Sequence, residues 1–148
     1  MSARRNARWY LSLDVGTKTI GVARAPARGP TIASPQFTLR REGLKRDVPR
    51  LWATVQQWGA VDTWVVGLPL ELDGAEGRSA RLARQVGDAI AKLGGTVEYQ
   101  DERFSTVEAT RRLTAQGMDS RKQREVIDSA AAAVILEDWL SRVKPGSD

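Results

Sequence analysis

The hydrophobic positions near the start of the chain follow a strand-like pattern. Apolar runs of strand length cover Trp9–Val15 and Ile20–Ala25, and the turn 16–18 (GTK) between them predicts a β-hairpin. Gln36–Arg40 is predicted to be a third strand, antiparallel to the second. The first forty residues therefore predict three strands and no helix.

The pattern then changes to helical spacing. Leu44, Val48, Leu51, Val55 and Trp58 recur on one face, which predicts the first helix. A proline at position 49 implies that this helix begins near Asp47 or is kinked there, because proline lacks the backbone donor that a helix interior needs. The hydrophobic face indicates that the helix packs on the sheet.

Strands and helices alternate in the rest of the chain. Thr63–Gly67 is typical of a strand buried on both faces, and an amphipathic helix follows, with Leu82, Val86, Ile90 and Leu93 on one face and Gly94-Gly95 as its stop. Thr96–Asp101 predicts a fifth strand. A capping box at Ser105–Glu108 predicts the start of a third helix, and a fourth is expected from about Ser120 to Arg142.

This order predicts an α/β fold. Strands that alternate with helices indicate a mixed sheet, here of five strands, which is parallel where helices make the crossovers and has helices on both faces. The length of 148 residues suits a single domain over 1–148, with residues 1–8 and 144–148 expected as loose tails.

Charge and composition narrow the classes of partner. Twenty-three Lys and Arg residues against 18 Asp and Glu give a net charge of +5, which favours nucleic acid first and an acidic membrane surface second. No apolar stretch approaches the ~18 residues of a membrane span, so we expect a cytoplasmic protein. Cysteine and histidine are both absent, so that any metal would be held by oxygen ligands.

Asp14 is the first acid whose position suggests chemistry. Strand alternation places Asp14 on the same face as Ser12 and Tyr10, at the carboxyl end of the first strand. Ligands of open α/β sheets gather at the carboxyl ends of parallel strands. The alternative is a turn-forming aspartate that caps amides before Gly16.

Glu102 follows the fifth predicted strand in the segment YQDERFST. If the strand continues, Glu102 shares a face with Glu98 and Gln100, and we prefer it to Asp101 as a site residue. The alternative is a surface acid paired with an arginine, Arg103 or Arg111, an arrangement of small energy.

Asp128 lies in VIDSAAAAVILEDWL, a helix that is apolar or small on nearly every side. A carboxylate in a buried segment is costly unless it is paired or coordinates a cation. The alanines at 130–133 permit close approach of this helix to the sheet, which would bring Asp128 to the strand ends. The alternative is a buried salt bridge to Arg24 or Arg103.

Three convergent carboxylates without histidine or cysteine are the ligands that Mg²⁺ or Mn²⁺ requires. Two such ions, ~3.5–4 Å apart, activate water and stabilise the leaving oxygen in a displacement at phosphorus. We expect Gly16, Gly21 and Gly67 to allow tight backbone or close approach near this site. Basic residues would contact the phosphates, and the predicted set is Lys18, Arg78, Arg81, Arg84, Arg103, Arg121, Lys122 and Arg124.

Four segments in order, LDVGTKTIGVA, VVGLPLELDGAEG, DERFSTVEA and IDSAAAAVILEDWL, resemble the YqgF family, also called RuvX-like, of proposed Holliday junction resolvases. The resemblance implies a ribonuclease H-like fold and a nuclease that depends on Mg²⁺ or Mn²⁺. It implies a DNA four-way junction or the precursor of small-subunit ribosomal RNA as substrate. Carried over by position, the family's acids fall on Asp14, Glu102 and Asp128. Cutting both strands of a symmetric junction would call for a homodimer.

Two other classes of protein compete with the nuclease interpretation. An Asp-x-Gly hairpin also opens sugar kinases, actin and the Hsp70 chaperones, but those proteins close a cleft between two large domains, and this chain has room for one. The second alternative is a non-catalytic nucleic-acid-binding or ribosome-assembly module of the same fold, because a fold does not guarantee activity.

Overall fold

A computed structural model describes residues 7–143, which form one five-stranded sheet with helices on both faces. The strand order is β3-β2-β1-β4-β5; β1, β2 and β3 are antiparallel neighbours, and β4 and β5 run parallel to β1. The mixed α/β fold is therefore as predicted. The elements are β1 Arg8–Val15, β2 Thr19–Pro26, β3 Ser34–Arg40, α1 Leu44–Gln56, β4 Ala60–Leu68, α2 Arg78–Lys92, β5 Val97–Asp101, α3 Ser105–Ala115 and α4 Ser120–Val143.

The two faces of the sheet carry different helices because side chains alternate along each strand. On one face, Leu11 and Leu13 belong to the main core, which also contains buried residues of α1 and α2. On the other face, Tyr10 packs with the buried residues of α4, and its ring meets that of Trp139 edge-on at 5.1 Å. This second face is the one on which alternation places Asp14.

Helix α4 approaches the sheet unusually closely. The buried hydroxyl of Ser12 donates a hydrogen bond of 2.6 Å to the carbonyl of Ala132. A Cβ at Gly21 would lie 2.0 Å from the carbonyl oxygen of Asp128, closer than any side chain permits. Small residues on both surfaces therefore bring the helix backbone directly over β1 and β2, beside Asp14.

Some predicted element boundaries differ from those of the structure, most clearly at helix α1 and at the start of β1. Of the two alternatives predicted for helix α1, a start near Asp47 or a kink there, the late start is wrong, because the helix begins at Leu44 and contains Pro49. The buried Asp47 carboxylate instead accepts hydrogen bonds from the N–H groups of Glu42 and Gly43, at 2.8 and 3.2 Å, so it closes the turn that precedes the helix. Arg8, expected in a tail, is the first residue of β1 and donates to Asp62. Residues 1–6 and 144–148 of the expected tails lie outside the described residues.

The predicted capping box at α3 does not form. Phe104 precedes the helix in the left-handed conformation, with φ 71°, so Ser105 is already the first helical residue and its hydroxyl is 3.4 Å from Glu102. The Glu108 carboxylate, predicted to reach back to the helix start, accepts instead from Arg111 and Arg112. Within residues 7–143, no helix combines the length and apolar character that a bilayer crossing demands.

Candidate metal centre

Asp14 lies between two glycines on the neighbouring strands. On β2 its partner is Gly21. On β4, Gly67 follows Val66, which pairs with Leu13, so Gly67 lies beside Asp14 on the other flank. A Cβ at Gly67 would be 2.6 Å from Cδ1 of Ile135 and 3.2 Å from the carboxyl carbon of Glu102. The absent side chains leave room for α4 on one flank of Asp14 and for the Glu102 carboxyl on the other.

The side chains of Asp14 and Glu102 are hydrogen-bonded to each other, although β4 separates their strands. Burial raises the pKa of Asp14, the hydrogen bond from Glu102 opposes this shift, and the charge of Asp128 adds to it. Burial and the nearby charge of Asp14 raise the pKa of Glu102. Two carboxyls in this arrangement share a proton when no cation compensates their charge.

Asp128 is held by a hydroxyl and not by an arginine. The Thr19 hydroxyl donates a hydrogen bond of 2.7 Å to Oδ2 of Asp128. Arg24, the first suggested partner, lies over the rings of Trp9 and Trp58, with its guanidinium carbon 4.1 and 4.6 Å from their centroids. In the part of the chain that the structure describes, Asp128 therefore forms no salt bridge with that arginine.

The arginines suggested as ion-pair partners of Glu102 are also bound to other acids. Arg103 donates from Nε to Oδ2 of Asp101 at 3.0 Å, and Arg111 binds Glu108 in two hydrogen bonds. Between positions 7 and 143, neither arginine forms an ion pair with Glu102. Glu102 is thus half-buried next to another acid, an environment that favours either a shared proton or a bound cation.

The donor chemistry of these residues fits a hard divalent cation, because every side-chain ligand on offer is a carboxylate oxygen. Asp14 and Glu102 touch each other, and the charge of Asp128 is close enough to act on Asp14. Among residues 7–143, however, no three acidic side chains are already arranged as a metal-holding group. A cation held by all three carboxylates would have to draw Asp128 toward the pair.

Two of the eight side chains predicted to contact phosphate have their positive charge neutralised by an acid. Arg84 makes a bidentate pair with Glu76, with both N–O distances 2.6 Å, and Arg103 is paired with Asp101. The other six cations have no carboxylate partner within the described ranges. They are Lys18, Arg78, Arg81, Arg121, Lys122 and Arg124.

These six free cations lie at the end of the sheet that carries the acids. Lys18 is in the β1–β2 turn next to Asp14, and Arg78 and Arg81 are in the first turn of α2, which follows the carboxyl end of β4. The remaining three are in the first turns of α4. That helix starts at the same end, since its Asp128 meets β2 near the turn while its Trp139 meets the beginning of β1.

Sequence reasoning missed two residues that organise the site. Thr19 fixes the carboxylate of Asp128, and Arg41 donates from Nη1 to the carbonyl of Gly16 at 2.9 Å and from Nε to Asp47. Arg41 thereby ties the turn after Asp14 to the start of α1. The polar start of β2, directly after the turn, was the available signal for Thr19; nothing local marked Arg41 among the other arginines.

The comparison with protein families decides which group the chain belongs to. The model described as RuvX: Holliday junction resolvase matches residues 8–142. The chain belongs to the RuvX family. A relative from Myxococcus xanthus (strain DK1622), named "Putative pre-16S rRNA nuclease", is 47% identical over 91% of this chain and 89% of its own length. A Moorella thermoacetica (strain ATCC 39073 / JCM 9320) relative of the same name is 40% identical over 90% of this chain and 94% of its own. The expected membership of a nuclease family is confirmed.

Solved structures show the fold of this RuvX-family chain. Thermus thermophilus RuvC in complex with Holliday junction substrate has a TM-score of 0.54 and 14% identity, covering 90% of this chain and 95% of that chain. A second Thermus thermophilus RuvC structure has a TM-score of 0.50, also at 14% identity, with 93% and 97% covered. The ribonuclease H-like fold that the sequence resemblance implied is confirmed.

Proposed function

We propose that this RuvX-family protein hydrolyses phosphodiester bonds in structured nucleic acid with a divalent metal, Mg²⁺ or Mn²⁺, held by Asp14, Glu102 and Asp128. The observation that carries the proposal is the contact between the Asp14 and Glu102 carboxyls across Gly67, with Asp128 near enough to act on Asp14. Burial raises the pKa of both carboxyls, which costs stability, and acids with raised pKa values cluster at functional sites.

Each residue has a separate task in this proposal. The three carboxylates supply oxygen ligands, and Thr19 orients Asp128 toward the sheet by its hydrogen bond. We propose that these residues would hold two metal ions, which would lower the pKa of a water and stabilise the leaving oxygen. The six free cations around the site bind phosphates and position the chain to be cut, without reading its sequence.

For the substrate we propose the precursor of small-subunit ribosomal RNA, which the names of the relatives support. The family description and the RuvC complex favour a four-way DNA junction as the second candidate, and its symmetric cutting would require a homodimer. Both substrates present phosphates to the same acids, so one mechanism serves either. A non-catalytic ribosome-assembly module of the same fold is the alternative.

The test is to incubate the purified protein with Mn²⁺ and three labelled substrates: a structured ribosomal precursor fragment, a four-way DNA junction and a linear duplex. We expect the precursor to be cut at a defined position. Asp128→Asn should abolish cleavage but keep binding, whereas Asp138→Asn, at an exposed acid on the same helix, should cut like the wild type. Binding without cleavage by the wild type would establish the non-catalytic module instead.

A further inference from the structure

An open cavity of about 560 Å³ lies between the β1–β2 turn and the end of β3. Its lining contains three hydroxyls and three cations and no acid. The residues are Thr17, Lys18, Thr19, Thr38, Arg40 and Arg41. A concave surface that offers only hydrogen-bond donors with positive charge and neutral hydroxyls is complementary to an anion.

Two of the three cations have uncompensated charge. Lys18 and Arg40 are exposed and form no ion pair with any acid between residues 7 and 143. Arg41, by contrast, is nearly buried and committed to Asp47 at 2.9 Å. The cavity therefore contains one arginine that builds its wall and two charges available to a ligand.

The backbone around the cavity is fixed before any ligand arrives. Thr19 pairs with Arg40 in the β2–β3 ladder, and the N–H of Arg41 donates a 2.9 Å hydrogen bond to the carbonyl of Lys18. These contacts join the turn to the end of β3. A preorganised site loses less entropy on binding than one assembled by the ligand.

The cavity is connected to the acids by a single side chain. Thr19 lines the cavity, and its hydroxyl also donates to Oδ2 of Asp128. Asp14 is separated from Thr19 only by Val15 and the turn, and it pairs with Gly21 two residues beyond Thr19. An anion in the cavity is therefore adjacent to the place where a phosphodiester would be cut, and not at a remote surface.

We propose that this cavity binds a backbone phosphate of the nucleic acid next to the phosphodiester that is cut, through Lys18, Arg40 and the hydroxyls of Thr17 and Thr38. The inference rests on the proposed function, because it assigns a position to the substrate of the same site. Neither Arg40 nor Thr38 was recognisable as a phosphate ligand from sequence, since both belong to an ordinary edge strand. Their role comes from the position of β3 against the turn.

The experiment measures binding in EDTA, so that it does not depend on cleavage. A labelled ribosomal precursor hairpin and a labelled four-way junction are titrated by anisotropy at several salt concentrations against wild type, Lys18→Gln/Arg40→Gln, and a control double variant. The control is Arg28→Gln/Lys92→Gln, which also removes two positive charges, but at exposed positions away from the cavity. Arg28 follows β2 and Lys92 ends α2, both at the opposite end of the sheet.

We expect the cavity variant to bind about tenfold more weakly at 0.1 M salt, and the slope of log K against log salt to fall by roughly 1.4–1.8, the amount for two lost phosphate contacts. The control should keep nearly the full slope. Both variants should unfold at the wild-type temperature, because the replaced side chains are exposed and form no ion pair with the described residues.

Equal affinity and slope in wild type and cavity variant would overturn the proposal even if the wild type cleaves. Conversely, if the cavity variant binds more weakly as predicted but the wild type never cleaves, the result would support the cavity and contradict the nuclease. A final experiment titrates the protein with inorganic phosphate and, separately, with nucleic acid, and follows the NMR signals of Thr19 and Thr38. Shifts caused by phosphate but not by nucleic acid would assign the cavity to a free anion and overturn the proposal.

Discussion

The carboxyl groups of Asp14 and Glu102 meet across Gly67, a residue of the strand that separates them. Any side chain larger than hydrogen at position 67 would press against the Glu102 carboxyl, whose carbon lies 3.2 Å from the position of a Cβ. The contact therefore depends on a residue that carries no chemistry of its own. The same holds at Gly21, where the missing side chain admits the backbone of Asp128.

Gly67→Ala should reduce cleavage by about 100-fold or more and lower the free energy of unfolding by about 1–3 kcal/mol, the range for overpacking a dense core. The new methyl meets Cδ1 of Ile135 at 2.6 Å and the Glu102 carboxyl at 3.2 Å. Cleavage assays and urea denaturation measure the two effects.

The double variant Gly67→Ala/Ile135→Val separates the two effects. Valine lacks the Cδ1 atom that causes the closer clash, so stability should recover in part, while the displaced Glu102 keeps activity low. Full recovery of activity together with stability would show that the glycine serves packing alone.

Asp14→Asn should stabilise the metal-free protein. Burial raises the pKa of both Asp14 and Glu102, so the folded state binds protons more tightly than the unfolded chain. This contribution to stability is present at acid pH and is lost as pH rises above the ordinary carboxyl value of about 4. In EDTA at pH 8 we expect the variant to gain about 1–2 kcal/mol.

The pH series is the control for that gain. The difference between Asp14→Asn and wild type should shrink as pH falls to 4 in EDTA, and Mn²⁺ should stabilise the wild type more than the variant, since a ligand that binds only the folded state adds to its stability. A variant that is less stable than wild type at every pH would contradict the account of the acid pair.

Asp47→Asn should cost about 3–5 kcal/mol, because it leaves the nearly buried Arg41 without its charge partner. Burial by itself would raise the pKa of Asp47, but the N–H of Glu42, the Arg41 guanidinium and the N–H of Gly43 together hold it below its usual range. The stability that Asp47 provides is therefore present above pH 4 and is lost as pH falls further.

Thermal unfolding at pH 7 and pH 3 measures this contribution. Asp62→Asn is the matched control, since Asp62 pairs with Arg8 at the surface and its removal should cost less than about 1 kcal/mol at either pH. Similar losses for the two variants at pH 7 would show that the link from the Gly16 turn to α1 is unimportant.

Phe104→Gly should be more stable than Phe104→Ala by about 1 kcal/mol, because a left-handed conformation costs a non-glycine residue roughly 1–2 kcal/mol. Phe104 has φ 71° and its side chain is 68% exposed. Both variants remove the ring, so the comparison isolates the backbone. Equal unfolding midpoints would contradict the conformation that precedes α3.

Local pattern was sufficient to predict most elements and the face on which Asp14 lies. Alternation along β1 placed Asp14 with Tyr10 and Ser12, and these two contact α4 as that assignment requires. Alternation along β5 likewise placed Glu102 with Glu98, which accepts a hydrogen bond from the indole of Trp139 on the same helix. Successive side chains of a strand point to opposite faces of the sheet, so the sequence of one strand is enough to predict which residues share a face.

The contacts between elements were not predictable from one sequence. The reach of Glu102 to Asp14 depends on the register of β4 between their strands, and Thr19 meets Asp128 only because α4 crosses β2 at Gly21. The capping box failed for a related reason: the chain turns left-handed at Phe104 on leaving the site, which moves the helix start by one residue. Such features are set by tertiary packing and not by local propensity.

The central claim is that the carboxylates of Asp14, Glu102 and Asp128 share divalent metal, and a crystal soaked in Mn²⁺ and measured at the manganese absorption edge tests it most directly. We predict anomalous peaks within about 2–2.6 Å of oxygens from all three side chains, the range of distances for hard cations. A well-ordered site with no anomalous peak among these residues would contradict the account.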